Sequence, residues 1–73
     1  MRQELLAARK ATGKTQDEVA TEAGIDRSYY VHIEKGNRSP SLHVAMRIAE
    51  CLRKEVGEIF FAHHSDKKSR TSA

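Results

Sequence analysis

Arg27, Ser28, Tyr29, Val31 and His32 stand together in one short stretch, and no carboxylate interrupts them. Their chemistry is that of recognition rather than reaction. A guanidinium fork, a hydroxyl, a phenol, a methyl-bearing side chain and an imidazole can meet base edges or phosphates, but none has the base and orienter a nucleophile needs. Along one face of a helix, on a basic chain, such groups suit a groove of DNA.

The elements that must position them run from Thr15 to Ile33. Two short helices joined by a tight turn at Gly24 would share a small core of Val19, Ala20, Ala23, Ile25, Tyr30 and Ile33, leaving the recognition face uncovered. Thr15 and Glu18 have the spacing of a capping box, and Asp26 suits the N-cap of the second of these helices, which should reach about Lys35 before Gly36 stops it. A preceding helix is expected over about residues 2–12, with Leu5, Leu6, Arg9 and Thr12 on one side, Ala8 between them and Gly13 as a left-handed cap. After the loop Asn37–Pro40, capped by Ser41 or Ser39, a fourth helix should run to about Arg53 and bury Leu42, Ala45, Ile48, Ala49 and Leu52. Val56, Ile59 and Phe60 suggest a short fifth helix that closes the core, with Phe60 inside it. Residues 62–73 show no apolar periodicity and read as a flexible basic tail, so residues 1–61 form the expected domain.

Composition sets the limits. Seventy-three residues allow one domain, whose small core favours efficient helical packing or an oligomer. The net charge of +3 is weak evidence, because residues 1–61 hold ten Lys/Arg against nine Asp/Glu. The single cysteine, Cys51, rules out an internal disulfide, and no apolar run is long enough for a membrane span. A cytoplasmic location is expected. His63–His64 lack convergent partners, so neither metal nor cofactor is expected; His43 reads as solvated and Cys51 as a small apolar filler. An enzyme is not expected.

The string Thr15-Gln16, Glu18-Val19-Ala20, Gly24-Ile25, Arg27-Ser28, Ile33-Glu34-Lys35-Gly36 and Pro40-Ser41-Leu42 resembles the Cro/repressor-type (XRE) helix-turn-helix family over about residues 2–61. The resemblance implies an all-α, five-helix, lambda-repressor-like domain. It also implies a homodimer on palindromic operator DNA, its third helix in the major groove, acting in transcription as a repressor or controller. Carried onto matching positions, and taken with the helical spacing, it makes Arg27, Ser28, Val31 and His32 base readers. Arg27 would reach guanine, Ser28 either kind of base, and Val31 a thymine methyl. Gln16, Tyr29, Lys35, Asn37 and Arg38 become backbone contacts, Gln16 aided by its helix N-terminus and Lys14 a weaker candidate. Arg9 and Glu34 match a structural ion pair. A two-fold seam is expected at Phe61, with Val56 or Ile59 beside it.

Three places depart from the pattern. Tyr30 replaces a β-branched aliphatic and its hydroxyl needs a partner. Arg53-Lys54 replaces a glycine–aliphatic pair. Glu55 is a poor N-cap, followed by the helix-weakening Gly57. A rival reading is an interaction module such as an antitoxin, so a toxin or anti-repressor partner stays open; the short polar tail argues against it. With no second folded domain expected, control would come from concentration, operators or a partner.

Overall fold

The computed structural model describes residues 1–61, and the expected tail with its histidine pair lies outside them. Five helices follow one another: α1 (Gln3–Thr12), α2 (Gln16–Ala23), α3 (Arg27–Lys35), α4 (Leu42–Cys51) and α5 (Val56–Phe60). No strand occurs among the described residues. The expected all-α, five-helix order is therefore present.

Side chains set most of the starts. Thr15 Oγ1 accepts from the Glu18 amide at 3.0 Å, and the Glu18 carboxylate accepts from the Thr15 amide at 2.8 Å, completing the box that opens α2. Asp26 Oδ2 accepts from Ser28 N–H at 2.9 Å to open α3. Ser41 Oγ accepts from Val44 N–H at 3.2 Å, so Ser41 rather than Ser39 caps α4. Caps of this kind contribute about 1 kcal/mol each. Glu55 gives α5 no side-chain cap; instead Glu58 Oε1 accepts from the Glu55 amide at 2.9 Å.

The turn between α2 and α3 needs its glycine. Gly24 has φ 74, and the Ile25 amide closes back on Ala20 O at 2.9 Å. A Cβ at Gly24 would also sit 3.2 Å from Arg47 Nη2. The exit of α4 does without one. The helix stops at Cys51, short of the expected Arg53, and Arg53 itself takes φ 58. Arg53 N–H reaches Glu50 O at 3.1 Å and Lys54 N–H reaches Ala49 O at 2.9 Å, the paired bonds of a left-handed helix stop. A non-glycine residue there costs about 1–2 kcal/mol.

The core joins Leu5 and Ala8 of α1, Val19, Ala20 and Ala23 of α2, and Tyr30 and Ile33 of α3 to Ala45, Ile48 and Ala49 of α4, with Leu52, Ile59 and Phe60. α2 packs against α3 and α4, and α5 bridges α4 and α1. Alanines on α2 and α4 let those helices lie close, and Tyr30 and Ile33 bring α3 into the same core. Two expectations need correction. Leu42 is 65% exposed rather than buried. It begins α4 and, at 100° per residue, lies about 70° from the centre of the stripe made by Ala45, Ile48, Ala49 and Leu52. Ile59 is 3% exposed and belongs to the monomer core, so its side chain has almost no surface for a seam. Phe60 is buried and Phe61 exposed, as expected; Leu6 is half-buried and Thr12 is exposed.

Candidate nucleic-acid interface

α3 has two faces with different duties. Its inner face carries Tyr30, Ile33 and Glu34, all buried. Glu34, 2% exposed, is the one buried charged side chain among the described residues. Its Oε2 accepts from Arg9 Nε at 2.7 Å and from Tyr30 Oη at 2.9 Å. Its Oε1 accepts from Gln16 Nε2 at 2.8 Å and from Arg9 Nη2 at 3.2 Å. Arg9 Nη1 also donates to Lys14 O at 3.0 Å. One carboxylate thereby ties α1, α2 and α3 together, with each oxygen bonded twice.

The electrostatics follow from those donors. Burial alone would push the Glu34 carboxyl up, but the hydrogen bonds from Arg9, Gln16 and Tyr30 and the Arg9 charge outweigh it and hold it below the usual carboxylate range. The Arg9 guanidinium is raised, chiefly by its bond to Glu34. The Tyr30 hydroxyl is pushed far above its ordinary value, first by burial and then by Glu34. Tyr30 thus stays neutral and donates. The departure at position 30 has found its partner one turn along the same helix.

The outer face is open. Arg27, Ser28, His32 and Lys35 are exposed and Val31 is half-buried. At 100° per residue Ser28, His32 and Lys35 lie opposite the buried side, with Val31 beside them and Arg27 on the flank. His32 Nδ1 lies 3.4 Å from Asn37 Nδ2. When that amide donates, the His32 proton sits on Nε2 and presents a donor outward. Tyr29 packs partly on the core, and the Arg38 guanidinium stands 5.4 Å from its ring centroid. The structure thus gathers Arg27, Ser28, Val31, His32 and Lys35 on α3, with Asn37 and Arg38 after its exit and Tyr29, from its first turn, beneath the Arg38 guanidinium. Gln16, on the first turn of α2, spends one amide hydrogen on Glu34 and keeps the other, beside backbone amides that have no intrahelical acceptor.

Lys14 does not join them. Its Nζ donates to Glu22 Oε1 at 2.7 Å and to Cys51 O at 3.1 Å, bonding the end of α4. Cys51 is more than filler, since its thiol donates to Glu22 Oε1 at 2.9 Å. Sequence reasoning passed over Arg2, whose side chain bonds the end of α3, because one basic residue near a chain start carries no pattern. The Tyr30–Glu34 bond did carry one, the i,i+4 spacing.

Residues 5–59 match the family described as helix-turn-helix. The chain is similar to an uncharacterized HTH-type transcriptional regulator of Methanothermobacter thermautotrophicus, 41% identical over 61 residues that make up 82% of this chain and 88% of that protein. It is similar also to the uncharacterized HTH-type transcriptional regulator YqaF of Bacillus subtilis, 48% identical over 52 residues, 71% of this chain and 68% of the other. A third, from Archaeoglobus fulgidus and named in the same words as the first, is 35% identical over 60 residues, 82% of this chain and 86% of the other. No solved structure gives a significant match. No helix among the described residues is long and apolar enough to cross a membrane. Taken with the helix-turn-helix geometry of α2 and α3, these matches show that the chain belongs to the Cro/repressor-type helix-turn-helix family of DNA-binding regulators, a family that is not enzymatic.

Proposed function

We propose that the protein binds a palindromic operator as a homodimer and regulates transcription by repression or control of the genes beside it. The observation that carries the reading is the division of α3. Its one carboxylate is locked inside with Arg9, while its outer face offers only neutral and basic groups. In this reading α3 enters the major groove; Arg27, Ser28, Val31 and His32 read bases, and Gln16, Tyr29, Lys35, Asn37 and Arg38 hold the backbone.

An exposed apolar patch supports self-association. Phe61 is 51% exposed and lines, with Pro40 and Leu42, a depression of about 230 Å³ beside the end of α5. Val56 is half-buried and able to contribute at the edge. The seam is therefore assigned to Phe61, Leu42 and Val56 rather than to Ile59. A two-fold axis there would set two α3 helices about 34 Å apart, one turn of DNA.

Selection of bound DNA from a random pool, then footprinting, tests the reading. The expected result is a motif of two inverted half-sites. No enrichment at moderate salt would overturn it. Phe61→Asp should give monomers in analytical ultracentrifugation and weaken operator binding; a mutant that stays dimeric removes Phe61 from the seam.

A further inference from the structure

Arg2 is built into the exit of α3 by four separate contacts. Its backbone N–H donates to Glu34 O at 2.9 Å. Its Nε donates to Ile33 O at 3.0 Å, and its Nη2 reaches Arg38 O at 3.4 Å. The guanidinium stands 5.4 Å from the Phe60 ring centroid. The last carbonyls of a helix have no partner of their own, and a cation beside them also opposes the negative end of the helix dipole. Arg2 therefore gives Glu34 O a donor and Ile33 O a second one beside the Gly36 amide, while its own carbonyl accepts from Leu6 N–H at 3.0 Å and starts α1.

The segment it holds is the one assigned to the DNA backbone. Gly36 turns the chain at φ 88, and the Asn37 and Arg38 amides close back on His32 O at 2.9 and 3.3 Å. Arg38 is then gripped twice, its carbonyl by Arg2 and its guanidinium by the face of Tyr29. Arg2 turns Nε and Nη2 toward main-chain carbonyls and its flat face toward Phe60, so these donors face the protein rather than a phosphate. An exposed Arg38 on a free loop would lose side-chain and backbone freedom on binding; a held one has already lost part of it.

Resting on the DNA-binding reading above, the geometry points to Arg2 as a positioning residue. It pre-orders the Asn37–Arg38 grip on the DNA backbone through the carbonyls of Ile33, Glu34 and Arg38, without touching DNA. Lysine would not replace it, because one ammonium cannot match the planar fork or its stacking on Phe60.

The test measures DNA affinity across a salt series for wild type, Arg2→Ala, Arg2→Lys, Arg38→Ala and the Arg2→Ala/Arg38→Ala pair, on the DNA selected above. NMR order parameters for residues 36–38 are measured in the same proteins without DNA. Each neutralised phosphate contributes about 0.9 to the slope of log affinity against log salt. Arg38→Ala should lower the slope by about that amount. Arg2→Ala should instead weaken binding at every salt concentration with the slope kept, because Arg38 still reaches its phosphate at a higher ordering cost, and the pair should show the slope of Arg38→Ala alone. Arg2→Lys should behave like Arg2→Ala. Order parameters at residues 36–38 should fall from about 0.85 towards 0.6 while those inside α3 hold. Slopes that add in the pair would overturn the inference, because Arg2 would then be a phosphate contact itself. Unchanged binding together with an ordered loop would overturn it equally. Failure of the wild type to bind any DNA is a different result, and it would sink the regulator reading first.

Discussion

Two ionic clusters link helices among the described residues, and they use nearly the same chemistry. In one, Arg9 meets Glu34 at 2.7 Å; in the other, Lys14 meets Glu22 at 2.7 Å. Equal lengths hide unequal surroundings. The Arg9 and Glu34 side chains are 14% and 3% exposed, and Glu34 takes two further donors from Tyr30 and Gln16. The Lys14 and Glu22 side chains are 29% and 48% exposed, and their other contacts are the Cys51 thiol and carbonyl. Water screens the second pair and cannot replace the partners of the first. The inner cluster therefore decides how α3 is presented, and the outer one adds only a tie from Lys14 before α2 and Glu22 in its last turn to Cys51 at the end of α4.

The largest break should come from Arg9→Ala. It leaves the Glu34 carboxylate buried without its counter-charge, a loss on the order of 3–5 kcal/mol in chemical unfolding. For so small a core that is a large part of total stability. A loss under about 1 kcal/mol would show that Glu34 simply rotates to water and that the cluster is not buried in solution.

Acid should test the inner cluster next. Glu34 titrates below its ordinary value in the folded chain, so the unfolded chain binds the proton first as pH falls. Its stabilisation is complete above the usual carboxylate pKa near 4.5 and disappears as pH drops through the lower folded value. Unfolding followed from pH 7 to pH 2 should show that loss, and Glu34→Gln, already less stable at neutral pH, should show a flatter acid limb. Equal slopes in the two proteins would transfer the acid sensitivity to other carboxylates. Tyr30→Phe is milder. It removes one of four donors to Glu34 and keeps the ring in the core, so a loss of about 1.5–3 kcal/mol is expected in the same assay.

The difference between the clusters also marks what the sequence could show. Arg9 and Glu34 were legible because they match positions of a known pattern, and Gly24, Asp26 and the Thr15–Glu18 box because their backbone chemistry is local. Lys14 reads as a weaker DNA candidate because its charge is visible in the sequence and the distant Cys51 carbonyl that binds it is not. Arg2 was missed for the same reason: its partners are main-chain oxygens 31 to 36 residues away, which carry no side-chain signature. Leu42 begins α4, where one residue of phase decides between core and surface, while Ile59 lies in the core that its spacing with Val56 and Phe60 predicts. The outer face of α3 was readable as a face, since helical period and the absence of acids are both local properties.

Lys14→Ala should have the smallest effect, and its salt dependence is the sharper measurement. The Lys14 amine is raised mainly by its bond to Glu22, which is exposed, and Glu22 is lowered mainly by the Cys51 thiol, which is half-buried. Burial, and then Glu22, push that thiol up to about 11, so at neutral pH it stays protonated and goes on donating to Glu22 when Lys14 is gone. The Tm of Lys14→Ala should therefore fall by less than that of Tyr30→Phe. The difference from wild type should close as salt rises towards about 1 M, where the screening length is about 3 Å. The Tyr30→Phe difference should persist at that salt, because its hydrogen bond lies inside. A large, salt-insensitive loss at Lys14 would mean that the bond to the Cys51 carbonyl, rather than the ion pair, secures the end of α4, and the contrast between a buried and a screened cluster would fail.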